Sequence, residues 1–432
     1  MSKMAKVRVS LLITLIVVML LPSVSVLAAE DITLEFWTIS LAGPFGDWIR
    51  GFIADYENAH PGVKINWVDV PGADVAQKYL AAVSAGIAPD VGNIYGLAKL
   101  VELDVLVDVN QYLAPEERAA YDQGLMDALT FNGKTLGLPW YGEGASPLVY
   151  SRKIFKEAGL DPDCPPKTYD EAMEMSRKIK DATGKFGLMT VIGQSNNKVD
   201  GGQEIDWLLQ EGVNLFTPDG KKAAFNTPEA VEVLTKWRDL YRDGYLPQEA
   251  LTAVWSEAQQ WYIGGRGAFT LVGPQVLNRT TPEVLEALET DIAYPITGKT
   301  GKALTHFQYL VVSSQSKHPQ EAVDFALYVT SKELQLEFIK QVAIFPSRPE
   351  VLEDPYFDVE NPETLRDKSR MLQVSWPGGS VVSPTAIPPS TIWPELAEAF
   401  ARETQRMYTG QISPEQALAN AERVWNRLLS KQ

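Results

Sequence analysis

Ile32-Thr-Leu-Glu-Phe-Trp37, the span from Asp47 to Asn58, and Val63-Lys-Ile-Asn-Trp-Val68 together form the stretch that decides the fold. The first and third segments alternate with period two and read as strands. Between them Trp48, Ile49, Phe52, Ile53 and Tyr56 fall on one helical face. A helix follows around Val75 to Ala85, then a short buried strand from Val91 to Tyr95, reached through Ala88-Pro89-Asp90. Such alternation predicts an α/β domain with a mainly parallel sheet. Ligands bind beyond the carboxyl ends of strands in such sheets, which singles out the positions just after Trp37 and Ile94.

Working outward, residues from about Tyr150 to Asp291 read as mostly helical. Helical spacing runs over Tyr169–Ala182, Pro228–Asp243 and Ser256–Ile263. Thr168 and Thr227 are expected N-caps, the second followed by Pro228 at the first helical position. A strand is expected over Thr305–Ser313 and a helix over His318–Thr330. Pro-rich connections follow, and helices close the chain from about Trp393 to Leu429.

The first thirty residues read as an address. Lys3, Lys6 and Arg8 precede an almost wholly apolar run from Val9 to Leu21, Pro22 interrupts it, and Val26-Leu-Ala-Ala29 supplies small residues. This predicts a secretory signal peptide over residues 1–28, too short to span a membrane. No cysteine stands near the cut to carry lipid, so a mature protein in the periplasm or outside the cell is expected.

The 432 residues carry 39 Lys+Arg against 55 Asp+Glu, a net charge of −16. That length suits two or three domains, and that acidity opposes nucleic-acid binding. One cysteine, Cys164, excludes an intramolecular disulfide and any Cys-based metal cluster. His60, His306 and His318 form no H-E-x-x-H motif, Gly193-Gln-Ser-Asn-Asn197 lacks the last glycine of a nucleophile elbow, and Gly264-Gly-Arg-Gly267 lacks the Lys-Ser/Thr of a phosphate loop. Asp161-Pro-Asp163 opens like a calcium loop, but Pro165 and Pro166 break the spacing. No metal, cofactor or catalytic residue is expected.

Aromatics carry the positive signal. Trp37, Tyr95, Trp140, Tyr141, Trp207, Trp255, Trp261, Trp376 and Trp393 mostly fall at expected strand ends or in Gly/Pro-rich loops. Flat rings stack on sugar C–H faces while polar neighbours bond the hydroxyls, which together describe a small-molecule cleft. The competing reading is core packing, since each large ring buries about 150–250 Å².

These fragments, in order, resemble one family. Leu34-Glu-Phe-Trp37 with Phe52-Ile-Ala-Asp-Tyr-Glu-Asn-Ala-His-Pro-Gly-Val-Lys-Ile65, Ala88-Pro-Asp-Val91, Gly137-Leu-Pro-Trp140 through Leu148-Val-Tyr-Ser-Arg-Lys-Ile-Phe155, Phe216-Thr-Pro-Asp-Gly-Lys-Lys-Ala-Ala-Phe-Asn226, Gly264-Gly-Arg-Gly-Ala-Phe269 and Gly410-Gln-Ile-Ser-Pro-Glu-Gln-Ala-Leu418 carry the likeness nearly end to end. The chain resembles the family 1 extracellular solute-binding proteins, sugar-capturing subunits of ABC importers related to maltose-binding protein. It departs where His306-Phe307 replaces a frequent glycine pair and where Gln275 follows Gly273-Pro274 in place of a ligand-stacking Trp.

The resemblance implies a type II-like periplasmic-binding-protein fold with an inter-lobe cleft. Its N-terminal lobe would comprise residues 29–141 and 297–331, and its C-terminal lobe 142–292 and 336–432. Crossovers are expected near 140–144, 292–298 and 331–336. Trp37, Ser40, Asp90, Asn93, Tyr95, Tyr141, Glu143, Trp207, Trp255, Gln275, His306, Gln308, Trp376 and Trp393 are the expected ligand contacts. The implied function is capture of a sugar or oligosaccharide by a monomer and its delivery to membrane permease subunits, without catalysis. A glycerol phosphodiester or another small anion is the alternative ligand, and a secreted carbohydrate-active enzyme the rival class.

Overall fold

The structure is a computed structural model that describes residues 32–72, 74–94, 97–142, 147–193, 203–270, 277, 280–300, 304–305, 307–342, 344–375, 381–382 and 392–431. The opening stretch folds as read: β1 (Ile32–Ile39), α1 (Ala42–Ala59), β2 (Val63–Val70), α2 (Val75–Ala85) and β3 (Val91–Asn93). β1 runs parallel to β2 over its whole length, from Ile32↔Val63 to Ile39↔Val70, and parallel to β3 at Phe36↔Val91 and Trp37↔Gly92. Gly92 is required there: a Cβ would lie 2.8 Å from the Tyr79 ring of α2.

Three strands from elsewhere complete this first sheet. They are β4 (Leu138–Gly142), β9 (Phe307–Val312) and β10 (Phe345–Pro346), giving the order β10-β4-β9-β3-β1-β2. β9 is antiparallel to both neighbours, β3 and β4, so the sheet is mixed. One core lies between this sheet and α1, α7 (Pro319–Val329) and α8 (Lys332–Gln341), built on Phe36, Phe52, Trp140, Phe325 and Phe338. A second, on the α2 face, holds Val75, Tyr79, Ile94 and Val311.

The second sheet has the order β8-β5-β7-β6, from β5 (Leu148–Ser151), β6 (Phe186–Met189), β7 (Gly267–Thr270) and β8 (Thr290–Ala293). Around it stand α3 (Tyr169–Thr183), α4 (Gln203–Gln210), α5 (Pro228–Arg242) and α6 (Trp255–Ile263). Thr168 and Thr227 cap α3 and α5, accepting from the N–H groups of Glu171 and Ala230. α10 (Trp393–Tyr408) and α11 (Pro414–Leu429) finish this lobe, sending Leu396, Phe400 and Trp425 into its core.

One expected boundary is corrected. The chain does not leave the first lobe at 331–336. α8 and β10 stay there, and Leu334, Phe338, Ile339, Val351 and Phe357 join its core. β10 pairs with β4 at Phe345↔Gly142 and Pro346↔Tyr141, an edge position where proline is tolerated. The second lobe is reached only with α9 (Leu365–Ser375), whose Leu372 enters the cluster around Trp261 and Ile292.

Candidate functional site: the carboxyl edge of the first sheet

β1, β3 and β4 point their carboxyl ends the same way, and β9 starts at that edge. Where these strands end, the core turns polar. Thr38 and Asn93 follow Trp37 and Gly92, the last pair joining β1 to β3, and both are fully buried. Asn93 Nδ2 donates to Gln308 Oε1 at 3.0 Å and to the Tyr309 carbonyl at 3.1 Å, which fixes the amide's orientation. Gln308 pairs in register with Tyr141, and both are buried. The Tyr141 ring meets Trp140 and Phe338 edge-on, each at 5.1 Å between centroids. Asn93, Gln308 and Tyr141 are thereby brought together on neighbouring strands.

The adjoining β1–α1 turn is organised by a residue that sequence reasoning missed. Asp69, opposite Thr38 in the β1–β2 register, accepts from Thr38 Oγ1 at 2.7 Å, from the Leu41 N–H at 2.9 Å and from the Ala42 N–H at 3.0 Å. The carboxylate therefore occupies donors at the start of α1 and complements the helix dipole. Trp67 Nε1 donates to Thr38 Oγ1 at 2.8 Å, completing the network. Pairing the two predicted strands in parallel register was the available signal, since it sets Thr38 beside Asp69. Ser40, just beyond, is exposed and holds φ +53°, unusual for a residue with a Cβ. Its Oγ accepts from the Gly72 N–H at 3.1 Å.

The other expected contacts separate. Trp37 is half-buried, with its ring edge-on to Tyr79 at 6.1 Å and Nε1 donating to Glu35 at 2.6 Å. Asp90 lies at the amino end of β3, away from the polar edge. It ties β1 to the turn after β9, accepting from the Glu35 N–H at 2.8 Å and from Ser316 Oγ at 2.5 Å. The expectation of a cleft contact at Asp90 is corrected to a cross-link between elements. Trp207 is an interior side chain of the second lobe, stacked on Trp237 at 3.5 Å with 8° between the planes. Trp393 is likewise interior, edge-on to Trp425 at 5.8 Å. Both expected contacts are corrected to side chains of the second-lobe core. The Trp255 side chain, and the whole of Tyr95, Glu143, Gln275, His306 and Trp376, lie outside the described residues.

In the second lobe the N–H of Gly193, after β6, donates to Glu204 Oε1 at 2.7 Å. Glu204 is fully enclosed, with the Tyr408 phenol beside it, and burial pushes its pKa up to about 7. Among the described residues no group of three or more His, Cys, Asp or Glu side chains is arranged to hold a metal ion, and no helix is long and apolar enough to cross a membrane.

Two α/β lobes, with neutral hydrogen-bonding groups gathered at a sheet's carboxyl edge, define a ligand-binding protein of the two-lobed periplasmic class. Residues 42–336 match the family described as bacterial extracellular solute-binding protein, and the chain belongs to that family. A "Probable ABC transporter-binding protein" of Deinococcus radiodurans is 25% identical over 338 residues, covering 74% of this chain and 77% of that one. A crystal structure from Synechococcus sp. MITs9220, named a "putative oligosaccharide periplasmic-binding protein" and containing zinc, is 29% identical with a TM-score of 0.82, covering 92% of this chain and 99% of that one. The cyclic alpha-maltosyl-1,6-maltose binding protein of Arthrobacter globiformis shares the fold at 24% identity and a TM-score of 0.76, over 93% of this chain and 100% of that one.

Proposed function

We propose that this chain captures a neutral mono- or oligosaccharide outside the cytoplasm and hands it to the permease of an ABC importer. The observation that carries the reading is the polar edge itself. Asn93 and Gln308 are buried, uncharged hydrogen-bonding side chains on adjacent strands, and Gln308 pairs in register with Tyr141. Such groups suit hydroxyls, which both donate and accept, while apolar surface suits sugar C–H faces. The name of the Synechococcus relative supports the same ligand class. An anion is less well served, because Asp69 already holds the first donors of α1 and brings a negative charge where a phosphate would dock.

In this reading Ser40, Tyr95, Tyr141, Glu143, Trp255, Gln275, His306 and Trp376 line the cleft, and the lobes close on ligand by hinge bending. The protein acts as a monomer without catalysis, released after removal of residues 1–28. A thermal-shift screen over sugars, polyols and sugar phosphates tests the ligand class. A ligand that binds only the folded state at one hundred times its Kd adds about 2.7 kcal/mol. A melting point raised by phosphorylated compounds alone overturns the neutral-sugar reading, and new reducing ends from incubated oligosaccharides overturn the absence of catalysis.

A further inference from the structure

Helix α9 is tied to both lobes, and the two sets of ties differ in kind. Toward the second lobe, Leu365 and Leu372 pack on the cluster around Trp261 and Ile292. Lys368 Nζ lies 2.5 Å from Asp291 Oδ1 on β8, and the same carboxylate accepts from Arg152 and from the Tyr150 hydroxyl, each at 3.3 Å. Asp291 is almost wholly buried, so its charge is held by three partners in a poorly solvated setting.

Toward the first lobe, two arginines of α9 reach Tyr356. Arg370 Nη1 donates to the Tyr356 carbonyl at 2.9 Å, and its guanidinium carbon stands 4.6 Å over the Tyr356 ring. Arg366 Nε donates to the Tyr356 hydroxyl at 3.3 Å. Tyr356 packs on the first-lobe core, and Lys340 of α8 lies 5.4 Å from the same ring.

We infer that α9 is a strap across the hinge, riding with the second lobe, whose Arg370–Tyr356 contact holds the lobes in the relative orientation of this structure. The inference rests on the hinged reading of the fold and not on the identity of the ligand. Rotation between lobes must shear one set of ties. The Lys368 and Arg152 ties to the buried Asp291 carboxylate and the two leucines resist, whereas the Tyr356 contacts involve one ring face, one carbonyl and one hydroxyl. Arg370 also pairs with Asp367 on its own helix, so it keeps a partner when it lets go of Tyr356. A contact made in one orientation and lost in the other biases the equilibrium between them by its own strength. An arginine over an aromatic ring changes such a ratio on the order of 2- to 30-fold.

The test uses ligand-free full-length protein with Cys164→Ser, spin-labelled at Lys99→Cys and Glu174→Cys, exposed positions in the first and second lobes. Electron–electron distance distributions are compared for this parent, Arg370→Met, Arg370→Lys, Tyr356→Leu and the surface control Lys134→Met. Arg370→Met and Tyr356→Leu are expected to move weight between distance populations by 2- to 30-fold. Arg370→Lys, which keeps the charge but loses the planar fork, is expected to move it less, and the control to superimpose on the parent. If Arg370→Met and Arg370→Lys both superimpose on the parent, or if Lys134→Met shifts equally, the strap is overturned. Failure of every sugar in the thermal-shift screen would leave this result untouched, because no ligand is present.

Discussion

Asn93 and Gln308, 215 residues apart in the chain, share a hydrogen bond of 3.0 Å inside the first lobe. Asn93→Leu removes a donor from the buried Gln308 carbonyl, and Gln308→Leu leaves the Asn93 amide with the Tyr309 carbonyl as its acceptor. Each single change is expected to lower stability by about 1–3 kcal/mol, while the double change costs less than their sum. Urea unfolding of the four proteins measures the cycle. Strict additivity would show that the two amides do not depend on each other.

Glu204 gives a pH signature. Burial raises its native-state pKa from 4.5 to about 7, so the folded protein keeps a proton that the unfolded chain has already released. Its contribution to stability is full below about 4.5 and is lost as pH rises through about 7. Glu204→Gln should flatten the stability profile across that window. Parallel profiles for the two proteins would refute the assignment.

The tryptophans separate by what they cost. Trp207→Ala and Trp393→Ala each open a hole in the second-lobe core and are expected to lose about 3–5 kcal/mol of stability. Differential scanning calorimetry should show lowered ligand-free melting points. Trp255→Ala and Trp376→Ala, if they line the cleft, should instead weaken sugar binding by roughly thirtyfold with little change in melting. A variant of Trp207 that melts normally but binds sugar poorly would return that residue to the cleft.

Thr168 caps α3 with a full capping box, its Oγ1 accepting from the Glu171 N–H while Glu171 reaches back to the Thr168 N–H at 3.3 Å. Thr168→Ala should cost about 1 kcal/mol, and Thr168→Ser almost nothing. Equal losses from the two would mean that the hydroxyl is not the working group.

Legibility followed the range of the interactions. The opening strand–helix–strand and the caps Thr168 and Thr227 were readable because each is fixed by residues a few positions apart. The third crossing was not. β10 is two residues long and contains Pro346, so no alternation marks it, and an amphipathic α8 reads the same on either lobe. Trp207 misled for a related reason. It lies in a helix whose Glu204, Asp206 and Gln210 are also buried, so polar spacing gave no hint that the ring faces Trp237 thirty positions on. Asn93, Tyr141 and Gln308 were singled out through the family resemblance, as expected ligand contacts, and not by a pattern of their own. Asp69 was hidden, because its role exists only once two strands are laid side by side.

The place of β9 has a kinetic consequence. It lies between β3 and β4, so the first sheet stays in two pieces until residue 312 has emerged, although most of its helices and strands come earlier. The second lobe waits longer, since Trp393, Phe400 and Trp425 complete its core. A chain delivered amino end first therefore exposes two unfinished halves until nearly all of it is available. Closing such distant contacts slows folding. A polypeptide that must thread a narrow pore before it folds gains time from that order of assembly.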